Sequence, residues 1–299
     1  MRVGEGEYAF LVSPPIPSST LPVSSRDILS KVFKTKEELT PLYQKYYKTF
    51  EEIQERLKPV VQRLQRLDPN QERFLYPIFM DRNSIGDLPE ELKKDGVTEE
   101  TKHTSYYLFR GGPSFDSIFG DFFLIFRNIA PGYDQENESE ETRTYWLQTY
   151  KSIYTFLYPI AKKVEALTRE LYKNQIQHMD LHGGNVLLNF LSPSFETWIQ
   201  KTKQFIINVK ESPDYRILKS ILGKDCLLTC DISYEQRTQI QDLLDDLKDI
   251  DTSDIKPVLI DWDISRILEE EDDDTGDLIY HLVPLDSMVS KFWKDMDSM

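Results

Sequence analysis

Residues 176–190 read IQHMDLHGGNVLLNF, with His178, Asp180, His182, Gly183, Gly184 and Asn185 crowded just before the apolar run Val186, Leu187, Leu188. His, Asp and Asn are poor choices for the interior of a helix or strand, whereas a short apolar run reads as a buried strand. The stretch is therefore predicted to be a loop entering a strand. A stable fold does not need these polar residues side by side, so they call for a chemical reading.

A second apolar run, Val258-Leu259-Ile260, meets Asp261-Trp262-Asp263. Two short strands with acidic or amide residues at one end suggest a cleft between two lobes. Before them, residues 1–12 (MRVGEGEYAFLV) alternate around two glycines and read as strand, tight turn, strand. A Pro/Ser-rich connector follows, then ILSKVF as a short strand. From Lys36 the apolar positions Leu39, Leu42, Tyr46, Phe50, Ile53, Leu57, Val60, Leu64 and Leu67 recur at helical spacing, with a kink or a division into two helices expected at Pro59.

Asp68-Pro69-Asn70 is a turn leading into a strand, and TSYYLFRGG is a strand ending at Gly111-Gly112. A long helix from Thr144 carries Trp146, Tyr150, Ile153, Leu157, Ile160, Val164, Leu167 and Leu171 on one stripe. Residues 191–256 read as polar, mainly helical and loop-like, and the acidic tail ends in a short helical pattern around Leu285 to Met296.

The 299 residues are 39% hydrophobic and 12% aromatic, enough to bury a substantial core in one large domain or two lobes. The net charge of -15, concentrated in runs such as Glu269 to Asp274, argues against nucleic-acid binding through phosphate neutralisation. Cys226 and Cys230 stand alone at C-x3-C spacing, which supports neither a disulfide framework nor a zinc site. No transmembrane run or secretory signal is evident, so a membrane partner is not expected and a cytoplasmic setting is.

His178, Asp180, Leu181 and Asn185 fit H-x-D-L-x-x-x-N, the catalytic loop of protein-kinase-like phosphotransferases. The chain resembles that superfamily. HMDLHGGNVLL looks most like the aminoglycoside and choline kinase branch, where histidine commonly stands at the position of His182 and protein kinases place lysine. The Pro-rich break, LDPN and Gly-Gly hinge are similar to divergent kinases of large DNA viruses, which would put the chain in a host cytoplasm or a virion.

The resemblance implies an α+β, bilobal protein-kinase-like fold: a small β-rich N-lobe over residues 1–110 and a mainly helical, shortened C-lobe over 111–299 with an insertion at about 191–256. It implies ATP and Mg²⁺ as cofactors and a protein or small-molecule hydroxyl as acceptor. An atypical protein (Ser/Thr) kinase is the leading expectation, a small-molecule kinase or a scaffolding pseudokinase the alternatives. Asp180 would orient the acceptor hydroxyl, while Asn185 and Asp261 would hold the metal. Gly4, Gly6, Ala9 and Leu11 line up with the glycine-rich loop over the phosphates.

Lys31, in register with V-A-I-K, would bind the phosphates, with Lys34 the alternative. Its glutamate partner would be Glu51, Glu52 or Glu55, with Glu55 favoured. Leu108, Phe109, Arg110 and Gly111 would form the adenine hinge, His178 would hold the loop, and Asp286 matches a buried aspartate of a following helix.

Asp263 stands where the family's D-F-G element has glycine, and no A-P-E element follows. The family's short spacing between the loop asparagine and the second metal aspartate is replaced here by residues 186–260, so 191–256 are expected to loop out on the surface. From the residues alone, His178, Asp180 and His182 could instead ligate zinc or iron, Gly4 and Gly6 could form an ordinary hairpin, and Lys31 could be a surface lysine.

Overall fold

The computed structural model describes residues 2–5, 9–13, 15, 28–33, 50–82, 103–108, 112–129, 140–222 and 232–268. They form a mixed α+β chain with a small antiparallel sheet and several helices. Two compact units divide it, one drawn from 1–111, 170–180 and 258–273, the other from 112–169, 181–257 and 274–299. No helix among the described residues is long and apolar enough to cross a membrane.

The first unit is built on strands β1 (Arg2–Glu5), β2 (Ala9–Val12), β3 (Ile28–Phe33), β4 (Phe79–Arg82) and β5 (His103–Leu108), in the order β1-β2-β3-β5-β4. Strand β3 is central. It pairs antiparallel with β2 (Lys31 opposite Leu11) and with β5 (Lys31 opposite Ser105). Because successive side chains alternate between faces, Ile28, Ser30 and Val32 fall on one face and Lys31 on the other, all four buried.

Helix α1 (Phe50–Leu67) buries Leu57, Val60 and Leu64 completely, the stripe predicted from spacing. It runs unbroken through Pro59 rather than dividing there. Glu55 and Pro59 both lie on its exposed side, so the carbonyl that proline cannot serve is left to water. The turn after the helix is organised by Asp68, a buried carboxylate that accepts the backbone N–H groups of Glu72, Arg73 and Phe74 at 3.1, 2.7 and 2.8 Å. Tyr76 Oη donates to the Asp68 carbonyl at 3.0 Å.

Two distant segments complete this unit. Strand β6 (Ile176–Gln177) pairs antiparallel with β9 (Arg266–Ile267). Leu259, the last residue of β8 (Lys256–Leu259), bridges in parallel to Phe74, with Leu75 N donating to the Leu259 carbonyl at 2.9 Å and Leu259 N to the Arg73 carbonyl at 2.8 Å. These bonds explain why residues flanking the H-x-D and D-W-D motifs fold with the sheet-bearing unit, whereas the sequence-based division sets them in the second lobe.

In the second unit, helix α2 (Phe115–Ile129) buries Phe115, Phe119, Phe122, Phe123 and Phe126. Helix α3 (Glu140–Lys173, its last turn counted with the first unit) buries the predicted stripe Ile153, Leu157, Ile160, Val164 and Leu167. Strand β7 (Val186–Asn189) alternates buried and half-buried residues.

The segment 191–256 does not loop out as expected. It folds into α4 (Pro193–Lys210), α5 (Pro213–Leu222) and α6 (Tyr234–Leu247), and α4 sends Phe195, Trp198, Phe205 and Val209 into the core. Trp198 packs 5.6 Å from Phe119 and 5.7 Å from Phe122 between ring centroids, and its indole N–H donates to the Leu243 carbonyl at 2.7 Å. Ser192 caps α4, and Ser233 with Gln236 forms a reciprocal capping box on α6.

Candidate active site

Lysine is rarely buried unless paired, yet Lys31 is only 7% exposed. Its ammonium donates to Asp261 Oδ1 at 2.8 Å and to Asp263 Oδ2 at 2.6 Å. Burial alone would lower its pKa; the charges and hydrogen bonds of the two aspartates more than offset this and raise it. Asp263, 1% exposed, responds in the opposite sense to an ordinary salt-bridged acid. Burial pushes its carboxyl up to about 6, against the pull of Lys31, and the like charge of Asp261 adds to the rise. The two results are compatible because Lys31 faces two carboxylates, whereas Asp263 faces one ammonium and a second anion.

The D-W-D turn is held from several sides. Trp262 is fully buried, donates its indole N–H to the Leu75 carbonyl at 3.0 Å and meets Phe74 edge-on at 5.9 Å. Arg56 on α1 donates to the Asp263 carbonyl at 2.5 Å, and Ser265 N donates to the Trp262 carbonyl at 2.9 Å. Asp261 has φ +67, a left-handed conformation unusual for a non-glycine residue and a kind of strain that concentrates at functional sites.

His178 joins this turn to the loop that carries Asp180. Its ring is buried, 4.7 Å from Trp262 between centroids. Nδ1 accepts the Asp180 N–H at 3.3 Å and Nε2 contacts the Ile260 carbonyl at 2.8 Å. A carbonyl can only accept, so the bond pattern assigns the neutral ring with its proton on Nε2. Ser265 Oγ donates to the His178 carbonyl at 3.1 Å. Met179, between the two, has φ +65 and is exposed.

In the second unit, Gly183–Asn185 forms a 3-10 turn with Asn185 buried and its N–H bonded to the His182 carbonyl at 2.9 Å. His182 Nδ1 accepts the Gly184 N–H at 3.1 Å and lies 3.7 Å from the Asp116 carboxylate. A Cβ on Gly183 would come within 2.0 Å of Asp116 Oδ1, and one on Gly112 within 1.8 Å of the Leu188 carbonyl oxygen. At Gly112 the obstacle is backbone and only glycine fits, whereas at Gly183 the Asp116 carboxylate would have to swing away. Gly112 N donates to Asn189 Oδ1 at 2.7 Å, which fixes the chain after Gly111 against β7. A concavity of about 500 Å³ in this unit, lined by Lys151, Thr155, Phe156, Lys248, Asp251 and Thr252, includes none of the residues predicted from sequence.

The structure thus brings together Lys31 and Asp261, and His178 with Asp180. Among the described residues the acids holding Lys31 are Asp261 and Asp263, not Glu55, which is exposed. Gly4 and Leu11 face each other across β1 and β2, Ala9 opens β2, and Leu108 ends β5 opposite Ile28. Gly6, Lys34, Phe109, Arg110, Gly111, Cys226, Cys230 and Asp286, and the side chains of Glu51 and Glu52, lie outside what is described. Arg56, Asp116 and the inward carboxylate of Asp263 escaped sequence reasoning. The only signal was the acid at Asp263, where the D-F-G element that the stretch resembles has glycine.

Asp261 in the first unit carries a carboxylate and Asn185 in the second an amide oxygen, each a hard donor of the kind Mg²⁺ takes. No group of three or more His, Cys, Asp or Glu side chains with metal-holding geometry occurs among the described residues, which removes support from a zinc or iron site at His178, Asp180 and His182. Compared with known proteins, the chain matches no family model and no curated protein.

Proposed function

We propose that the chain is an ATP- and Mg²⁺-dependent phosphotransferase of bilobal protein-kinase-like fold, acting as an atypical protein (Ser/Thr) kinase. The observation that carries this reading is the pairing of Lys31, on the third strand, with Asp261, 230 positions later at the end of an apolar strand. A lysine from that strand and an aspartate from that motif are the two groups that phosphoryl transfer of this kind places on the phosphates and on the metal.

In this reading Lys31 binds phosphate oxygens, Asp180 accepts or orients the proton of the attacking hydroxyl, and His178 holds the Asp180 backbone. Asp261 and Asn185 would hold Mg²⁺, which when bound neutralises charge on the phosphates. The strands bearing Gly4, Ala9 and Leu11 would cover the nucleotide together with Gly6. Another α1 acid, Glu51 or Glu52, would take Lys31, and Leu108 to Gly111 would read the base. The chain's partners are then ATP and a hydroxyl acceptor, in a cytoplasmic setting that is host cytoplasm or virion for a viral protein.

A small-molecule acceptor is the second reading, favoured by His182, a histidine beside the Asp116 carboxylate where protein kinases carry lysine. Labelled ATP offered with generic protein substrates and, separately, with an aminoglycoside, choline or a sugar distinguishes the two. Asp180→Ala is expected to lower transfer by about 10²–10⁴-fold, the usual range for a positioned acid or base. Unchanged transfer in that variant would sink the reading, and a well-folded chain whose melting temperature ignores Mg-ATP would sink it as well.

A further inference from the structure

The geometry points to Asp261 and Asp263 as a two-carboxylate divalent-cation site that fills without nucleotide, with the Lys31 ammonium as the group a cation displaces. This deepens the metal half of the phosphotransferase reading and rests on it for the role of Lys31. That reading takes only Asp261 of the pair as a ligand.

The two aspartates sit at i and i+2 of one turn and direct an oxygen each to the same ammonium, at 2.8 and 2.6 Å. Together they carry twice the charge of the group they share. The other oxygen of Asp263 is buried with no hydrogen-bond partner. Leaving a carboxylate oxygen dry and unbonded is costly, and a cation is the partner that a lone pair in such a place would take.

The backbone cannot readily turn Asp263 away, because Arg56 holds its carbonyl and Trp262 beside it is anchored on Leu75. For Lys31 to serve phosphates, it must loosen its grip on the half-buried Asp261 and the buried Asp263. A dication on Asp261 and Asp263 removes that cost, since breaking a buried pair without a replacement is strongly unfavourable.

Mn²⁺ binding to the full chain, measured without nucleotide by the electron paramagnetic resonance of free Mn²⁺, tests this. Wild type is expected to bind at this site weakly. Lys31→Met should bind at least about tenfold more tightly, the competing ammonium being gone, which corresponds to about 1.4 kcal/mol. Lys31→Met/Asp263→Asn should lose that gain. Lys31→Gln serves in the same comparison if the methionine variant does not fold, with circular dichroism reporting the fold.

A lysine variant that binds Mn²⁺ no better than wild type, or a double variant that keeps the gain, overturns the proposal. Neither nucleotide nor acceptor is present, so a chain that transfers no phosphate can still satisfy this test. Conversely, ATP turnover by a chain whose Mn²⁺ affinity ignores Lys31 and Asp263 would overturn this proposal alone.

Discussion

His178 donates from Nε2 to the carbonyl of Ile260, 82 positions later, at 2.8 Å. The same ring accepts the Asp180 N–H on its other nitrogen. One buried imidazole therefore fixes the backbone of the H-x-D loop relative to the strand end that carries Asp261. His178→Phe preserves the ring's bulk and its packing on Trp262 but removes its bonds to the part-buried Asp180 N–H and Ile260 carbonyl. It is expected to cost about 1–3 kcal/mol, read from the shift in denaturation midpoint. A variant as stable as wild type would show that these two bonds are dispensable.

Excision of residues 191–256 is expected to unfold the second unit, because the segment supplies part of its core. Trp198 alone is a sensitive probe. It is 1% exposed, packs on Phe119 and Phe122 and donates to the Leu243 carbonyl. Trp198→Ala should cost about 3–5 kcal/mol, whereas a surface loop would tolerate both changes. Retention of native circular dichroism and melting temperature after excision is the contrary result.

How much of this was legible in the sequence depended on the range of each interaction. Leu57, Val60 and Leu64 announced themselves because helical spacing is a local signal. Phe195, Trp198, Phe205 and Val209 have similar spacing, but Lys, Gln and Asn on the other face of α4 dilute the average and made 191–256 read as polar. The resemblance gave Lys31 a glutamate partner and Asp261 a metal, so the Lys31–Asp261 pair was not expected, and nothing in either short strand specifies a partner 230 positions away. Glu55, preferred as the partner of Lys31, lies on the exposed side of α1, one residue from Arg56, which reaches the D-W-D turn. At 3.6 residues per turn a single step rotates the side chain by about 100°, so the face is lost with an error of one.

Two glycines should respond oppositely to alanine. On Gly112 the new methyl would meet the Leu188 carbonyl oxygen at 1.8 Å, and both the N–H bond to Asn189 and the path of β7 resist its displacement. Gly112→Ala is expected to destabilise by about 1–3 kcal/mol, as overpacking does. Gly120 lies within α2, and its nearest neighbour would be the Asp116 Cβ at 3.9 Å, an ordinary contact. Gly120→Ala should therefore gain about 0.5–1 kcal/mol from helix propensity. Melting curves of the two variants recorded side by side decide the point, and a shift of the same sign in both would contradict it.

Asp263 makes an unusual contribution to the pH dependence of stability. Its carboxyl is raised from 3.8 to about 6 in the folded chain, first by burial and then by the like charge of Asp261, with Lys31 opposing. Between those two values the folded state holds a proton that the unfolded state has released. Stability from this group is therefore fully present below about 3.8 and is lost as pH rises through about 6. Depressed carboxylates elsewhere, such as Asp245, have the opposite sign, with stability lost as pH falls. Those groups are common to wild type and to Asp263→Asn, so they cancel in the difference between the two. The stability of wild type relative to Asp263→Asn is expected to decline from pH 4 to pH 6 and to be level above about 7, measured by urea titration at each pH. A difference that instead grows with pH across that window would mean that the attraction of Lys31 outweighs burial and that the Asp263 carboxyl is depressed.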